Sequence, residues 1–215
     1  MEPELPINSN KSILTNLTNF INRNKKLLTI ILSSILILIL IFFLFLEFKK
    51  KKRIEISEKF NKVTTNYKSN KNNIIAKDEL TKLILSKDKT YAPLSLYFLI
   101  DNKIIDSRNE INNFFDELIK NTSLETEVKN LVIYKKALYN SEFEEENNLI
   151  TQLNPLINSE SIWKSHALYL LGEYFFYKKE NKKSKEFFEQ IINLKNANPE
   201  IKIEAQKRIL RDLSE

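Results

Sequence analysis

Residues 27–46 read LLTIILSSILILILIFFLFL, and this stretch decides the first part of the fold. It contains no charged residue, no proline and no glycine, and only Thr29, Ser33 and Ser34 interrupt its leucines, isoleucines and phenylalanines. About 20 helical residues extend over about 30 Å, which is the thickness of the hydrocarbon core of a bilayer. We therefore predict one membrane-spanning helix from Leu27 to Leu46.

Two other interpretations of residues 27–46 stay open at the level of sequence. A buried core helix is less favoured, because the stretch is apolar on every face and long enough to span a bilayer. A cleaved signal peptide has a shorter apolar region of about 7–15 residues, followed by small residues at the cleavage site. Here Glu47, Phe48 and a basic run follow instead. We expect the segment to remain attached.

The residues before the apolar stretch are polar but carry a helical pattern. Between Ser12 and Asn22, five apolar side chains recur at helical spacing, namely Ile13, Leu14, Leu17, Phe20 and Ile21. This pattern is typical of a short amphipathic helix at a membrane interface. A frayed polar tail explains the composition equally well, and the sequence alone does not choose between the two.

Basic residues on the two sides of the apolar stretch bear on its orientation. The residues before it include Lys11, Arg23, Lys25 and Lys26, and those after it include Lys49–Arg53, Lys59 and Lys62. The positive-inside rule places the more basic, C-terminal side in the cytoplasm. The same rule loses force for long translocated domains. The flanking charges therefore favour a cytoplasmic C-terminal domain without fixing it.

The composition of the 215-residue chain favours helices and excludes several classes of site. One glycine and five prolines are too few for the many turns of an all-β domain. The absence of cysteine excludes disulfides, thiolate metal sites and cysteine nucleophiles. The net charge of +6 arises largely from the run Lys49–Arg53, so we find no basic stripe of the kind that binds nucleic acid.

Helix start signals divide the region after the apolar stretch. Ser107-x-x-Glu110 and Ser141-x-x-Glu144 are capping-box patterns, and Asn198-Pro199 combines an N-cap with proline at the first helical position. With the apolar periodicity, they predict helices near residues 54–68, 74–87, 91–101, 107–120, 124–139, 142–153, 161–179, 182–194 and 199–213.

An internal repeat indicates how these helices are arranged. The hexapeptide FFDELI at 114–119 is echoed by FFEQII at 187–192, about two periods of a tetratricopeptide repeat later. Residues 168–199 resemble one such repeat, and the matching packing residues are Leu168, Leu171, Gly172, Phe175, Ser184, Phe188 and Ile191. Ile191 is bulkier than the usual alanine, and Asn196 stands where a proline usually closes the repeat. We predict an all-α fold with a degenerate tetratricopeptide-like array of antiparallel helix pairs.

The single glycine, Gly172, has a place in this scheme. Two helices approach closely only where a side chain is very small, so we expect Gly172 to face Ser184 and Phe188 at a helix crossing. A glycine within a helix costs about 1 kcal/mol relative to alanine, a cost that close packing would offset. An accidental glycine without a packing role is the alternative.

The layout of the whole chain resembles the ancillary SecYEG translocon subunit family of bacteria. We divide it into a polar N-terminal segment (1–26), the spanning helix (27–46), a basic juxtamembrane helical segment (47–90) and a repeat domain (91–215). The segments WKSHALYLLG from Trp163 and AQKRIL from Ala205 carry most of the similarity. The resemblance implies an inner-membrane protein with a periplasmic C-terminal domain that associates with the secretion channel and periplasmic chaperones. That orientation conflicts with the flanking charges.

The sequence offers little that points to catalysis. His166 is the only histidine and has no second histidine or cysteine as a partner, so we expect a packing or surface role. The acidic cluster Glu142, Glu144, Glu145 and Glu146 is interpreted as a solvated helix start. One glycine cannot build a phosphate-binding loop. We expect no enzyme, no metal and no cofactor.

These expectations leave protein interaction as the favoured function. Within the aromatic run 174–177, most side chains should be buried, but Tyr174 or Tyr177 could line a partner groove. We expect a membrane-anchored interaction module, whose partners are the lipid bilayer and translocon subunits, periplasmic chaperones or peptides, and no nucleic acid. The alternatives are a cytoplasm-facing scaffold for another membrane or cell-division complex, and an enzyme with a polar pocket.

Overall fold

The computed structural model describes the backbone of residues 9–213 and the side chains of residues 15–213. Within that range the chain forms ten α-helices and no β-strand, so the all-α prediction is confirmed. The helices are α1 (Ser9–Arg23), α2 (Lys25–Asn70), α3 (Asn73–Leu85), α4 (Tyr91–Asp101), α5 (Arg108–Asn121), α6 (Thr126–Asn140), α7 (Glu146–Ile157), α8 (Lys164–Tyr177), α9 (Asn181–Asn193) and α10 (Pro199–Asp212).

The apolar stretch lies in α2, and the chain divides into two compact units after Glu55, within this helix. In the first unit the large side chains of residues 27–46 are exposed except for the half-buried Leu28, and Leu44 is 70% exposed. A buried core helix does not agree with that exposure. By length and composition, α2 is a candidate membrane span, the only one in the described part of the chain, and a signal sequence would pass the same test.

The predicted helix at residues 12–22 is present, whereas the predicted start of a new helix near residue 54 is not. Residues 9–23 are helical in α1, and the side chains of Leu17, Phe20 and Ile21 are exposed, whereas those of Ile13 and Leu14 lie outside the described residues. The predicted separate helix near 54–68 is wrong, because α2 continues without interruption to Asn70. The residues between the two predicted helices include Glu, Lys and Arg but no Gly or Pro, and such residues favour helix continuation.

Neighbouring helices of the second unit pack in antiparallel pairs. In α8 and α9, Tyr169 packs on Phe188 and Gly172 on Ser184, so the residue numbers run in opposite directions along the two helices. The pair α5 and α6 follows the same rule, since Asn112 contacts Asn140 while Asp116 contacts Lys136. The predicted antiparallel pairs are therefore present.

Alternate helices are linked by hydrogen bonds with a recurring spacing. The side-chain hydrogen bonds that join α2 with α4, α3 with α5, α6 with α8, α7 with α9, and α8 with α10, or the residues next to these helices, connect positions 33 to 37 apart. A tetratricopeptide repeat has a period of about 34 residues. The stack does not contradict a tetratricopeptide-like array, which stays a prediction.

The core of the second unit consists of three adjoining apolar clusters. The first extends from residues 56 to 132 and contains Leu80, Leu96, Phe115 and Leu118 among its fully buried members. The second joins α6, α7 and α8, and the third joins α8, α9 and α10 around Phe188. Helix α8 contributes to two clusters, which explains why it carries the longest run of buried residues among the short helices.

The helix caps were predicted correctly at two of three sites. The Ser107 Oγ accepts a hydrogen bond from the Glu110 amide, and the Asn198 side chain accepts from the amides of Glu200 and Ile201. The capping box at Ser141 is wrong, because the Ser141 hydroxyl donates backwards to the Leu138 carbonyl and ends α6. Helix α7 therefore begins only at Glu146 and continues past Pro155 to Ile157.

Candidate functional site

The residues predicted to pack the repeat meet at the crossing of α8 and α9. All seven are buried, and the Ser184 hydroxyl donates to the Gly172 carbonyl at 2.8 Å. A Cβ atom on residue 172 would lie only 2.5 Å from Cε1 of the Phe188 ring. The missing side chain at Gly172 therefore makes room for the Phe188 ring against the backbone of α8, and α9 packs on this face of α8.

The opposite face of α8 forms one side of an open groove of about 610 Å³. The other side is the turn between α6 and α7, and the lining residues are Ser141, Glu142, Phe143, Leu170, Glu173, Tyr174, Tyr177 and Lys178. Residues 170, 173, 174 and 177 follow the helical spacing of a single face. We call this cavity the α8 groove.

The two tyrosines that the sequence singled out both line the α8 groove, but they differ in exposure. Tyr174 is 8% exposed, and its hydroxyl donates to the Glu144 carbonyl at 3.1 Å, so it forms the floor and joins α8 to the α6–α7 turn. Tyr177 is 83% exposed at the end of the helix. Only Tyr177 therefore presents most of its ring to a partner.

A third aromatic side chain of the groove was missed by sequence reasoning. Phe143 is 57% exposed and belongs to the α6–α7 turn, where its ring packs at 6.5 Å on Tyr139. The Arg108 guanidinium lies 4.9 Å from the Phe143 ring centroid. The isolated aromatic between acidic residues gave no periodic signal, because it lies in a turn outside any helix.

The remaining aromatic residues of the run 174–177 turn away from the groove. Phe175 is buried and stacks on Phe187 of α9 with ring centroids 5.4 Å apart. Phe176 packs beneath the Arg208 guanidinium of α10 at 4.8 Å. The prediction that most of this run is core agrees with these placements.

Carboxylates dominate the charge around the α8 groove. Glu144 pairs with Arg108 at 2.6 Å, Glu146 with Lys183 at 2.9 Å, and Glu173 with Arg208 through Nε at 2.6 Å. Glu142 and Glu145 are exposed, and neither has an ion-pair partner within the described residues. Burial raises the pKa of Tyr174, and the nearby charges of Glu146, Glu180, Glu145 and Glu144 raise it further.

The acidic cluster differs from its predicted role. Of its four members only Glu146 lies in the first turn of α7. Glu144 is held by Arg108 and accepts from Asn148, and Glu142 lines the groove. The prediction that the cluster forms a solvated helix start is therefore wrong for Glu142 and Glu144, because α7 begins later than predicted.

His166 lies in an aromatic contact away from the groove. Its ring packs 5.0 Å from Trp163 and 5.8 Å from Tyr134, between α8 and α6. Burial holds the pKa of His166 below its ordinary value, opposed in part by the Ile162 backbone. Among the described residues, no group of three or more histidine or acidic side chains is placed to hold a metal ion.

Two further cavities are less suited to a partner. One, of about 570 Å³, lies between the α7–α8 connection and the end of α9, and its rim is formed by polar residues such as Asn158, Glu160 and Asn193. The other, of about 470 Å³, lies between α2 and α3. Neither contains an aromatic side chain as exposed as Tyr177 or Phe143.

Comparison with known proteins gives no match, since no family model, no curated protein and no solved structure is similar to this chain at a significant level. The resemblance to the ancillary translocon subunits stays a prediction from the sequence.

Proposed function

We propose that the protein is a non-enzymatic, membrane-anchored interaction module that holds a partner polypeptide in the α8 groove. One observation carries the proposal, namely the exposed aromatic side chains of Tyr177 and Phe143 on a stack of helix pairs. The same chain contains an apolar helix segment with no buried residue. Stacked helix pairs present extended surfaces of this kind to peptides and partner helices.

The secretion machinery is the favoured location, and this part of the proposal rests on the family resemblance. As an accessory subunit of the Sec translocon in the bacterial inner membrane, the protein would contact periplasmic chaperones or exported chains. An anchor raises the local concentration of the module near a membrane-bound partner. Modest affinity in the α8 groove would then suffice for function.

A second candidate has its own supporting observation. The basic run Lys49–Arg53 follows the apolar stretch after Glu47 and Phe48, and the positive-inside rule favours a cytoplasmic location for the helices beyond it. The same module would then be a scaffold for another membrane or cell-division complex. Fusion of a periplasm-only reporter after Glu215 separates the two, since an inactive reporter together with an active cytoplasmic one supports the scaffold.

Site-specific crosslinking tests the docking surface. A photoreactive amino acid at position 177 lies on the exposed rim, whereas position 174 is buried and would disturb the floor. The matched control is position 162, because Ile162 is 64% exposed but does not line the groove. We expect translocon subunits or chaperones to be crosslinked from 177 and not from 162, and to copurify after mild detergent extraction. Equal crosslinking from both positions would argue against the groove.

A further inference from the structure

We propose that the segment bound in the α8 groove is cationic, with lysine or arginine side chains beside at least one large apolar side chain. This inference rests on the proposed docking function and adds the chemistry of the partner. Three features support it: the charge of the rim, the exposed aromatic rings and the apolar floor.

The charge of the rim is the first feature. Three of the cations near the groove, Arg108, Lys183 and Arg208, are already engaged by carboxylates. Glu142 lines the groove and Glu145 follows it in the same turn, and both are exposed without an ion-pair partner within the described residues, whereas Lys178 is the single base that lines the groove. The unpaired charges at and next to the groove are therefore two carboxylates and one ammonium group, although the whole chain carries a net charge of +6. Complementary charge on a partner is steered towards such a site and like charge is rejected.

Acidic side chains also surround the Tyr174 hydroxyl at the floor of the groove. Burial raises the pKa of the Tyr174 hydroxyl, and Glu146, Glu180, Glu145 and Glu144 raise it further. These four carboxylates are paired with only two bases, Arg108 and Lys183, so acidic groups are in excess around the floor. A negative potential favours an incoming ammonium or guanidinium group over a carboxylate.

The aromatic rings are the second feature, and the protein's own cations already use them. The Arg108 guanidinium lies 4.9 Å from the Phe143 ring, and the Lys178 Nζ lies 5.5 Å from the Tyr174 ring. Both distances are within the range of about 6 Å in which a ring attracts a cation. The exposed ring of Tyr177 offers a further face to a lysine or arginine from outside.

The apolar floor is the third feature, and it explains why the bound segment should also contain a large apolar side chain. Leu170 lies beside Tyr174 at the base of the groove, and both are 8% exposed. A volume of about 610 Å³ accommodates a few side chains rather than a whole helix. One large apolar side chain in contact with the floor, with basic neighbours at the rim, fits both the shape and the charge.

A peptide panel tests this partner chemistry on the full-length protein in an uncharged detergent. The probe is a short fluorescent peptide in which leucine and phenylalanine alternate with lysine, and its counterparts carry glutamate or glutamine in place of every lysine. We expect the lysine peptide to bind about 10-fold more tightly than the glutamate peptide at low salt. Raising the salt concentration should reduce the difference, since exposed charges are then screened.

Variants locate the effect. Glu142→Gln combined with Glu145→Gln should reduce the preference for lysine to about 3-fold or less, whereas Glu160→Gln, an exposed glutamate of another cavity, should leave it unchanged. Tyr177→Ala should weaken binding of the lysine peptide about 10-fold, whereas Ile162→Ala should not. All of these side chains are exposed, and an unchanged circular dichroism spectrum shows that each variant is folded.

Each other result has a defined meaning. Equal or tighter binding of the glutamate peptide that still depends on Tyr177 overturns the cationic partner and leaves the docking groove intact. Binding of the lysine peptide that is insensitive to Tyr177→Ala, or no binding of any peptide, overturns both the inference and the groove on which it rests.

Discussion

Two helix crossings in the second unit show opposite ways to bring antiparallel helices together. At the α8–α9 crossing the contact is apolar, with Gly172 against the Phe188 ring and a single hydrogen bond from Ser184. The α5–α6 crossing also has apolar contacts, such as Phe115 with Tyr139, but it contains a polar pair, because Asn140 is 1% exposed and exchanges two hydrogen bonds with Asn112 at 2.8 and 3.1 Å. We call it the polar crossing. The first crossing depends on size and the second on hydrogen-bond satisfaction.

The difference determines which substitutions destabilise each crossing. A close-packed apolar crossing fails when volume is added or removed, because neighbouring side chains have no space to adjust. A buried amide pair fails when either partner is lost, since the remaining group is left without a hydrogen bond. The apolar crossing supports the α8 wall of the groove, whereas the polar crossing adjoins the α6–α7 turn of the opposite wall, where the amides of Phe143 and Glu144 donate to the Asn140 carbonyl. Both crossings therefore bear on the candidate site.

Phe188→Ala should produce the largest effect and breaks the apolar crossing. The ring is fully buried between Gly172 and Tyr169, and removal of such a side chain costs about 3–5 kcal/mol. Urea unfolding followed by circular dichroism in detergent measures the change. Phe143→Ala is the matched control, because its exposed ring should cost less than about 1 kcal/mol. A similar loss for the two variants would contradict the described packing.

Asn140→Ala tests the polar crossing and should cost about 2–3 kcal/mol. The substitution leaves the Asn112 Oδ1 without its donor, while the Asn112 Nδ2 keeps the Arg108 carbonyl as an acceptor. It also removes an acceptor from the Arg108 Nε and a donor to Gln152. Asn147→Ala provides the control, since Asn147 is exposed at the start of α7. Adding Asn112→Ala to Asn140→Ala should cost little more, because the two residues serve one interaction. Full additivity would show that the pair is not a unit.

The sequence predicted the apolar crossing and missed the polar one for a physical reason. A glycine within a helix is costly, so a glycine followed by a small residue and an aromatic at repeat spacing points to close packing, and Gly172, Ser184 and Phe188 were identifiable. A buried asparagine has no such signature, because the chain is rich in exposed asparagines that look the same in one dimension. Asn140 is distinguished only by the partners that folding brings to it.

The same limit explains the errors at the groove. Ser141-x-x-Glu144 fits a capping box by spacing, but the amides of Phe143 and Glu144 both donate to the Asn140 carbonyl and turn the chain before a helix can begin. That turn exposes Phe143 and creates one wall of the groove. Sequence reasoning therefore found the tyrosines of the helix wall but not the turn opposite them.

Helix ends add a second case in which local rules were insufficient. Lys71, Lys87, Lys103 and Lys179 have positive φ values of 51° to 61° just after α2, α3, α4 and α8. Glycine usually takes this left-handed place at a helix end, and for other residues the conformation costs about 1–2 kcal/mol. A chain with one glycine, used in the α8–α9 crossing, closes these helices with lysines instead, so no glycine marked the ends in the sequence.

Gly172→Ala sharpens the comparison by adding one carbon to the apolar crossing. Alanine favours a helix over glycine by about 1 kcal/mol, but its Cβ would lie 2.5–2.9 Å from three atoms of the Phe188 ring. Overpacking of this kind costs about 1–3 kcal/mol, so we expect a net loss of about 1 kcal/mol. In a Phe188→Leu background the same change should become neutral or stabilising, as measured by urea unfolding. A gain in the wild-type background would contradict the close approach.

His166 tests the contact between α6 and α8, the helices that link the two crossings. Its ring packs against Tyr134 of α6 and Trp163 next to α8. Burial lowers the folded-state pKa below the ordinary value of 6.5, so the unfolded chain binds the proton more readily. The resulting stability is complete above about pH 6.5 and is lost as the pH falls from there towards the folded-state pKa. The effect should be smaller than about 1 kcal/mol, because water screens a half-buried imidazole. Thermal unfolding should show that lowering the pH through this window destabilises the wild type more than His166→Phe, because phenylalanine cannot be protonated. Parallel curves would mean that the imidazole is equally accessible to protons in the folded and unfolded chain, and that α6 and α8 do not close over it.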